Sequence, residues 1–135
     1  MNRYDVVIVG GAAVGSAAAY FLAAEPCFDG TLLVLEQDFG YQRCATTLSV
    51  ASIRHQFSTP ENIRMSMFGT AFVRDVAARL AVDNLRPDVG FHEGGYLFLA
   101  SPGGLDTLRA NHRIQRELGA DVGLYDPAAL QQRFP

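Results

Sequence analysis

Val6 to Ala24 is a run of 19 residues without a single charge, and its internal order constrains the fold more than any other feature. It opens on the β-branched Val6-Val7-Ile8-Val9, breaks at Gly10-Gly11, and continues through Ser16 to Ala24 in Ala-rich, helix-favouring sequence. A bilayer-spanning helix is about this long, but it has no need to change composition midway. A secretory signal wants a net positive start and one apolar block, whereas Arg3 is offset here by Asp5. The run therefore reads as a strand, a glycine turn and a helix, and no stable membrane span is expected.

The next apolar segment completes a unit. Tyr4 to Val9 is expected as a buried strand, Gly15 to Ala24 as a helix stopped before Pro26, and Thr31 to Glu36 as a second buried strand ending in an acid. Strand, helix and strand at this spacing form a βαβ crossover with parallel strands. Phe39 to Phe57 has no sustained period and reads as an extended loop. Three later helix starts, Thr59-Pro60, Ser101-Pro102 and Asp126-Pro127, each place a capping residue before proline at the first helical position. The helix after Thr59 carries Met65, Phe68, Phe72, Val76 and Leu80 as an apolar stripe, expected to be core. Leu105 to Leu118 is a further helix closed by Gly119, and Phe91 to Ala100 is expected as a strand or hairpin turning at Gly94-Gly95.

The chemistry sits in the first turn. Set against the dinucleotide fingerprint G-x-G-x-x-G, the first and third glycines are Gly10 and Gly15, and Ala12 holds the middle position. The first glycine permits the tight turn, the second admits a pyrophosphate, and the third lets helix and strand pack closely. The helix N-terminus offers free N–H groups and a partial positive charge to phosphates. Glu36 follows 21 residues after Gly15, where a carboxylate accepts from ribose hydroxyls and repels a 2′-phosphate. The residues thus indicate FAD or NAD rather than NADP. A nicotinamide domain continues with another helix and strand, and the loop Arg43-Cys44-Ala45-Thr46-Thr47-Leu48-Ser49 stands there instead.

The balance of the chain narrows the function classes. Eleven basic residues face 14 acidic ones for a net charge of −3, with no basic block for nucleic acid. Every basic residue is Arg, which excludes a Schiff-base lysine within this stretch. Cys27 and Cys44 cannot make a disulfide framework or a four-thiolate metal site, and no His has ligand partners at metal spacing. A reduced, cytoplasmic protein is the expectation.

The opening DVVIVGGAAVGSAAAYFL, the acid Glu36, the segment ATTLSVASIRHQFSTPENIRMS, the strand GFHEGGYLFLA and the closing LYDPAALQQRFP together resemble FAD-dependent oxidoreductases of the D-amino-acid oxidase/glycine oxidase (DAO) family. The stretch from Leu48 to Met67 is nearest a subgroup described only as FAD-dependent oxidoreductase domain proteins. The resemblance implies an α/β fold: a Rossmann-like FAD-binding βαβ unit and flavin-proximal loop over residues 1–57, then the helices and hairpin that start a mixed α+β substrate domain over 58–135. It implies non-covalent FAD, with Gly10, Ala12, Ala13 and Gly15 along the pyrophosphate, Glu36 and Gln37 at the adenosine ribose, and Ala45, Thr46 and Thr47 toward the flavin. Arg54 matches the arginine that holds a substrate carboxylate in sarcosine oxidases, and pairing with a buried acid is its rival role. Two departures are Ala12 for glycine and Ala51 where many relatives have glycine or another loop residue. His55 is read as structural rather than a base, and Cys44 as packing rather than a flavin link.

The implied reaction is oxidation of the C–N bond of a small amine or amino acid, with the electron acceptor left open. The alternatives are a non-enzymatic flavoprotein assembly factor and an NAD-linked dehydrogenase. A parallel strand pair needs further strands beside it, so the chain is expected to be the N-terminal piece of a longer protein, inactive by itself.

Overall fold

A computed structural model describes residues 3–135. The chain divides into two compact units, one ending at Ser52 and one spanning Ile53–Pro135.

In the first unit, β1 (Val6–Val9) and β2 (Leu32–Leu35) pair in parallel, with Val6 opposite Leu32 and Val9 opposite Leu35, and α1 (Ala13–Ala23) crosses between them. The start of the pair is clamped by side chains. Thr31 donates to Asp5 Oδ2 from both its N–H (2.8 Å) and its hydroxyl (2.7 Å), and the Asp5 N–H donates to the Thr31 carbonyl (3.0 Å). At the other end the Gly10 N–H extends the ladder to the Leu35 carbonyl (2.7 Å). The strands are shorter than the sequence suggests and are not fully buried. Val6 and Ile8 are half-buried, while Val7 is 49% and Val9 84% exposed. A two-stranded sheet has a helix for one face only, and strands of this composition are buried when both faces are covered.

The second unit contains α2 (Pro60–Arg74), α3 (Val76–Arg79), α4 (Leu105–Glu117), entered through a 3₁₀ turn at Pro102–Gly104, and α5 (Pro127–Arg133). All three proline-led starts appear, but only one uses its capping side chain. Asp126 accepts from the Ala129 N–H (2.8 Å), whereas Thr59 and Ser101 make no side-chain cap. Gly119, at φ +85°, ends α4 in the left-handed conformation that glycine adopts without strain.

The core of this unit is Ile63, Val76 and Ala120, with Thr70 and Gln115 buried beside them. Gln115 Nε2 donates to the Phe57 carbonyl (2.9 Å), and Thr70 Oγ1 is hydrogen-bonded to His55 Nε2 (2.9 Å). His55 thus has a structural partner. The expected stripe is only partly core: Val76 is buried, but Met65 is 63% and Phe68 57% exposed. The buried face of α2 is the adjacent one, through Ile63 and Thr70. The helix also does not run unbroken to Leu80. At Asp75 (φ −105°, ψ 11°) the N–H turns to the Phe72 carbonyl, three residues back, and α3 begins anew.

Phe91 to Ala100 forms neither the expected strand nor a hairpin, and every residue in it is exposed. β-propensity expresses packing on a pleated surface rather than an intrinsic backbone choice, and among the described residues no strand lies beside this segment to complete a ladder.

Candidate functional site

The first unit builds its site around Gly10–Gly15. Gly10 has φ +99°, a region costly for any residue with a side chain, and it turns the chain from β1 toward the helix. A Cβ on Gly15 would lie 1.8 Å from the Gly10 carbonyl oxygen and 3.2 Å from Ile8 Cγ2, so that position admits no side chain. The third glycine therefore does the packing work assigned to it. Ala12 caps α1 at φ −68° and ψ −170°, backbone that any residue adopts. A glycine at that position would accordingly serve close approach of a ligand, not backbone geometry. No side chain caps α1, so its first-turn N–H groups, from Ala13 onward, keep the vacancy that every helix start leaves. Ser16 Oγ donates to the Gly11 carbonyl and fixes the turn from below.

Gly11 is the residue that sequence reasoning passed over. It is buried, and a Cβ there would meet Glu36 Cβ and the Tyr41 hydroxyl, each at 3.4 Å. Its N–H donates to Glu36 Oε2 (2.7 Å), while Oε1 accepts from the Asp38 N–H (2.9 Å). These two backbone donors, Asp38 first and Gly11 second, hold the Glu36 carboxyl below the usual glutamate range. An ionised carboxylate has about four lone-pair sites, so two bound N–H groups leave room for ribose hydroxyls. The only signal in the sequence was the doubled glycine.

Between the ends of the two strands lies an open cavity of about 560 Å³. Gly10 and Ala12 contribute one side, Glu36 and Gln37 another, and Tyr41, Arg43 and Cys44 come from the following loop. That volume falls within the range of small-molecule and cofactor sites. The loop is tied to Glu36 through Asp38, whose side chain accepts from the Gly40 N–H (2.9 Å) and the Gln42 N–H (3.2 Å). Tyr41 holds a left-handed φ of +53° on the cavity wall. Cys44 Sγ lies 3.1 Å from Thr47 Oγ1 and accepts from the Thr47 N–H (3.4 Å), contacts that lower its thiol from the ordinary value.

The structure thus brings Gly10, Ala12, Glu36 and Gln37 to one cavity, with Ala13 in the adjoining helical turn and Gly15 behind it. Ala45, Thr46 and Thr47 are exposed and do not line that cavity. Arg54 belongs to the second unit. Its guanidinium lies over the rings of Phe57 (4.8 Å to the centroid) and Phe98 (5.3 Å) rather than on a buried acid. Ala51 sits at φ +49°, in the left-handed region. Among the described residues no group of three His, Cys, Asp or Glu side chains is placed to hold a metal ion, and no helix is long and apolar enough to cross a membrane.

The donor set suits a dinucleotide: a turn of glycines and alanines, an uncapped helix start and an ionised acid beside the cavity, in the order such ligands require. Comparison with known proteins agrees. A family profile described as FAD dependent oxidoreductase (DAO) matches residues 5–135. The chain is 46% identical to FAD-dependent oxidoreductase domain-containing protein 1 of Xenopus laevis over 137 residues, covering 99% of this chain and 28% of that protein. It is 43% identical to the Bos taurus protein of the same name, with the same coverage. The Drosophila melanogaster homolog is 38% identical over 132 residues, 97% of this chain and 25% of that protein. No solved structure matches. The chain spans about 28% of the length of the first of these relatives. With its fingerprint turn, its acid and a match over residues 5–135, the chain belongs to the FAD-dependent oxidoreductase family, DAO.

Proposed function

We propose that this chain forms the FAD-binding start of an enzyme that oxidises the C–N bond of a small amine or amino acid of the sarcosine, glycine or D-amino-acid type. The observation that carries the cofactor half is Gly15, whose absent side chain lets the Gly10 carbonyl lie where a Cβ would be. FAD, when bound, accepts the hydride equivalent. The protein's own part is binding and orientation. The first-turn N–H groups of α1 hold the diphosphate, which lies along Gly10, Ala12 and Ala13. Glu36 and Gln37 take the adenosine ribose, and because Glu36 stays ionised it selects a free 2′-hydroxyl. Ala45, Thr46 and Thr47 serve the flavin side. Arg54 receives the substrate carboxylate, which fixes the C–N bond for reaction, and orientation of this kind supplies a large share of a catalysed rate. The flavin is held without a covalent link.

Anaerobic mixing of the purified full-length protein with sarcosine, proline and D-alanine tests this. Bleaching of the flavin band by at least one of them is expected. A flavin that all of them leave oxidised contradicts enzymatic C–N oxidation of these substrates and favours a flavoprotein that works by assembly. Acid precipitation should release the flavin into the supernatant; a yellow pellet would contradict non-covalent binding.

A further inference from the structure

The Arg54 guanidinium lies over two rings, those of Phe57 and Phe98. The rings come from separate segments, Phe57 three residues on and Phe98 from the extended stretch after Gly95. The two segments are tied together. Gln56 Nε2 donates to the Tyr96 carbonyl (2.8 Å), and the Tyr96 and Phe98 rings stack at 5.9 Å with 22° between their planes. The backbone of Arg54 is itself held, its carbonyl accepting from Ser66 Oγ on α2.

A guanidinium has a flat face and an edge of five N–H donors. Arginine characteristically stacks this face on aromatic rings, through attraction between the cation and the π-electrons. Such stacking leaves the edge, which is the part that pairs bidentately with a carboxylate. We infer that Phe98, with Phe57, is a positioning residue that holds the Arg54 guanidinium edge-on for a carboxylate, so that the site selects amino acids over amines lacking a carboxylate. This rests on the proposed role of Arg54 and deepens it. It also gives the exposed Phe98 a role, set against the arginine rather than in a hydrophobic core, with Tyr96 stacked on it.

The test uses the full-length flavoprotein with Phe98→Leu, Phe98→Tyr and Arg54→Gln. Binding of propionate, a carboxylate that cannot be oxidised at a C–N bond, is followed by calorimetry, and the KM for sarcosine is compared with that for dimethylamine. Phe98→Leu keeps the apolar bulk but removes the π-face, so propionate Kd and sarcosine KM should each rise about fivefold, with kcat changing less, as expected for loss of an exposed cation–π contact. Phe98→Tyr should restore both. The preference for sarcosine over dimethylamine should fall with Phe98→Leu and collapse with Arg54→Gln. Should Phe98→Leu match the wild type while Arg54→Gln loses propionate, the clamp is wrong and the role of Arg54 stands. Indifference of propionate binding to Arg54→Gln, or no propionate binding in the wild type, overturns both.

Discussion

Gly15 and Gly69 are both helical glycines, yet a methyl group added at each has opposite consequences. At Gly15 it would occupy the Gly10 carbonyl oxygen, so α1 must shift off β1. At Gly69 nothing lies within 4 Å. Gly15→Ala is therefore expected to destabilise by roughly 3 kcal/mol, at the upper end of overpacking effects, and to lose bound flavin. Gly69→Ala should stabilise by about 0.5–1 kcal/mol, the ordinary difference within a helix. Chemical denaturation of the two variants and the wild type distinguishes these outcomes. Ala51 is the converse case, a side chain at φ +49°. Ala51→Gly should raise the thermal midpoint slightly, by the equivalent of roughly 0.5–1 kcal/mol, since a left-handed residue with a Cβ is strained; a lower midpoint would show that the loop gains nothing from the extra freedom.

At the scale of elements, the three proline-led helices separate a sequence signal from the bond it implies. Asp126→Ala removes a real cap, and should cost about 1 kcal/mol locally, seen as faster amide exchange through α5. Thr59→Ala and Ser101→Ala remove no cap bond and should leave exchange in α2 and α4 close to wild type. The βαβ unit was legible because its determinants are local: a β-branched run, a glycine turn and an Ala-rich helix each dictate their own conformation. The fingerprint positions Gly10 and Gly15 and the acid Glu36 could be read for the same reason. The 91–100 segment could not, because a strand exists only through its ladder partner, and its alternating aromatics carry no information on whether one is present. Gly11 and Tyr41 were missed because their contact is between residues thirty apart and follows no period. The stripe on α2 was read from helical spacing, but which neighbouring stripe is buried depends on where α4 packs.

For the whole molecule, the carboxylates with displaced titration all move the same way. Asp5 is lowered mainly by the Thr31 N–H, Glu36 by the Asp38 N–H, and Glu93 by the Arg74 guanidinium, which it meets twice at 2.6 Å. A carboxyl whose folded pKa lies below its unfolded one contributes stability that is fully present above the unfolded value, near 4, and is lost as pH falls through the folded value. Stability should therefore be flat from pH 7 to about 5 and decline below it. Glu36→Gln should make that decline shallower, and an acid limb identical to wild type would mean that Glu36 is not held by its two backbone donors.

The placement of a diphosphate over the start of α1 is tested most directly by the visible absorbance spectrum of the purified full-length protein, before and after added FAD. Flavin bands that survive gel filtration are expected, together with their loss in Gly15→Asp, where a side chain would displace the Gly10 carbonyl. A folded, colourless wild type that takes up no FAD, or a Gly15→Asp variant as yellow as its parent, would contradict the account.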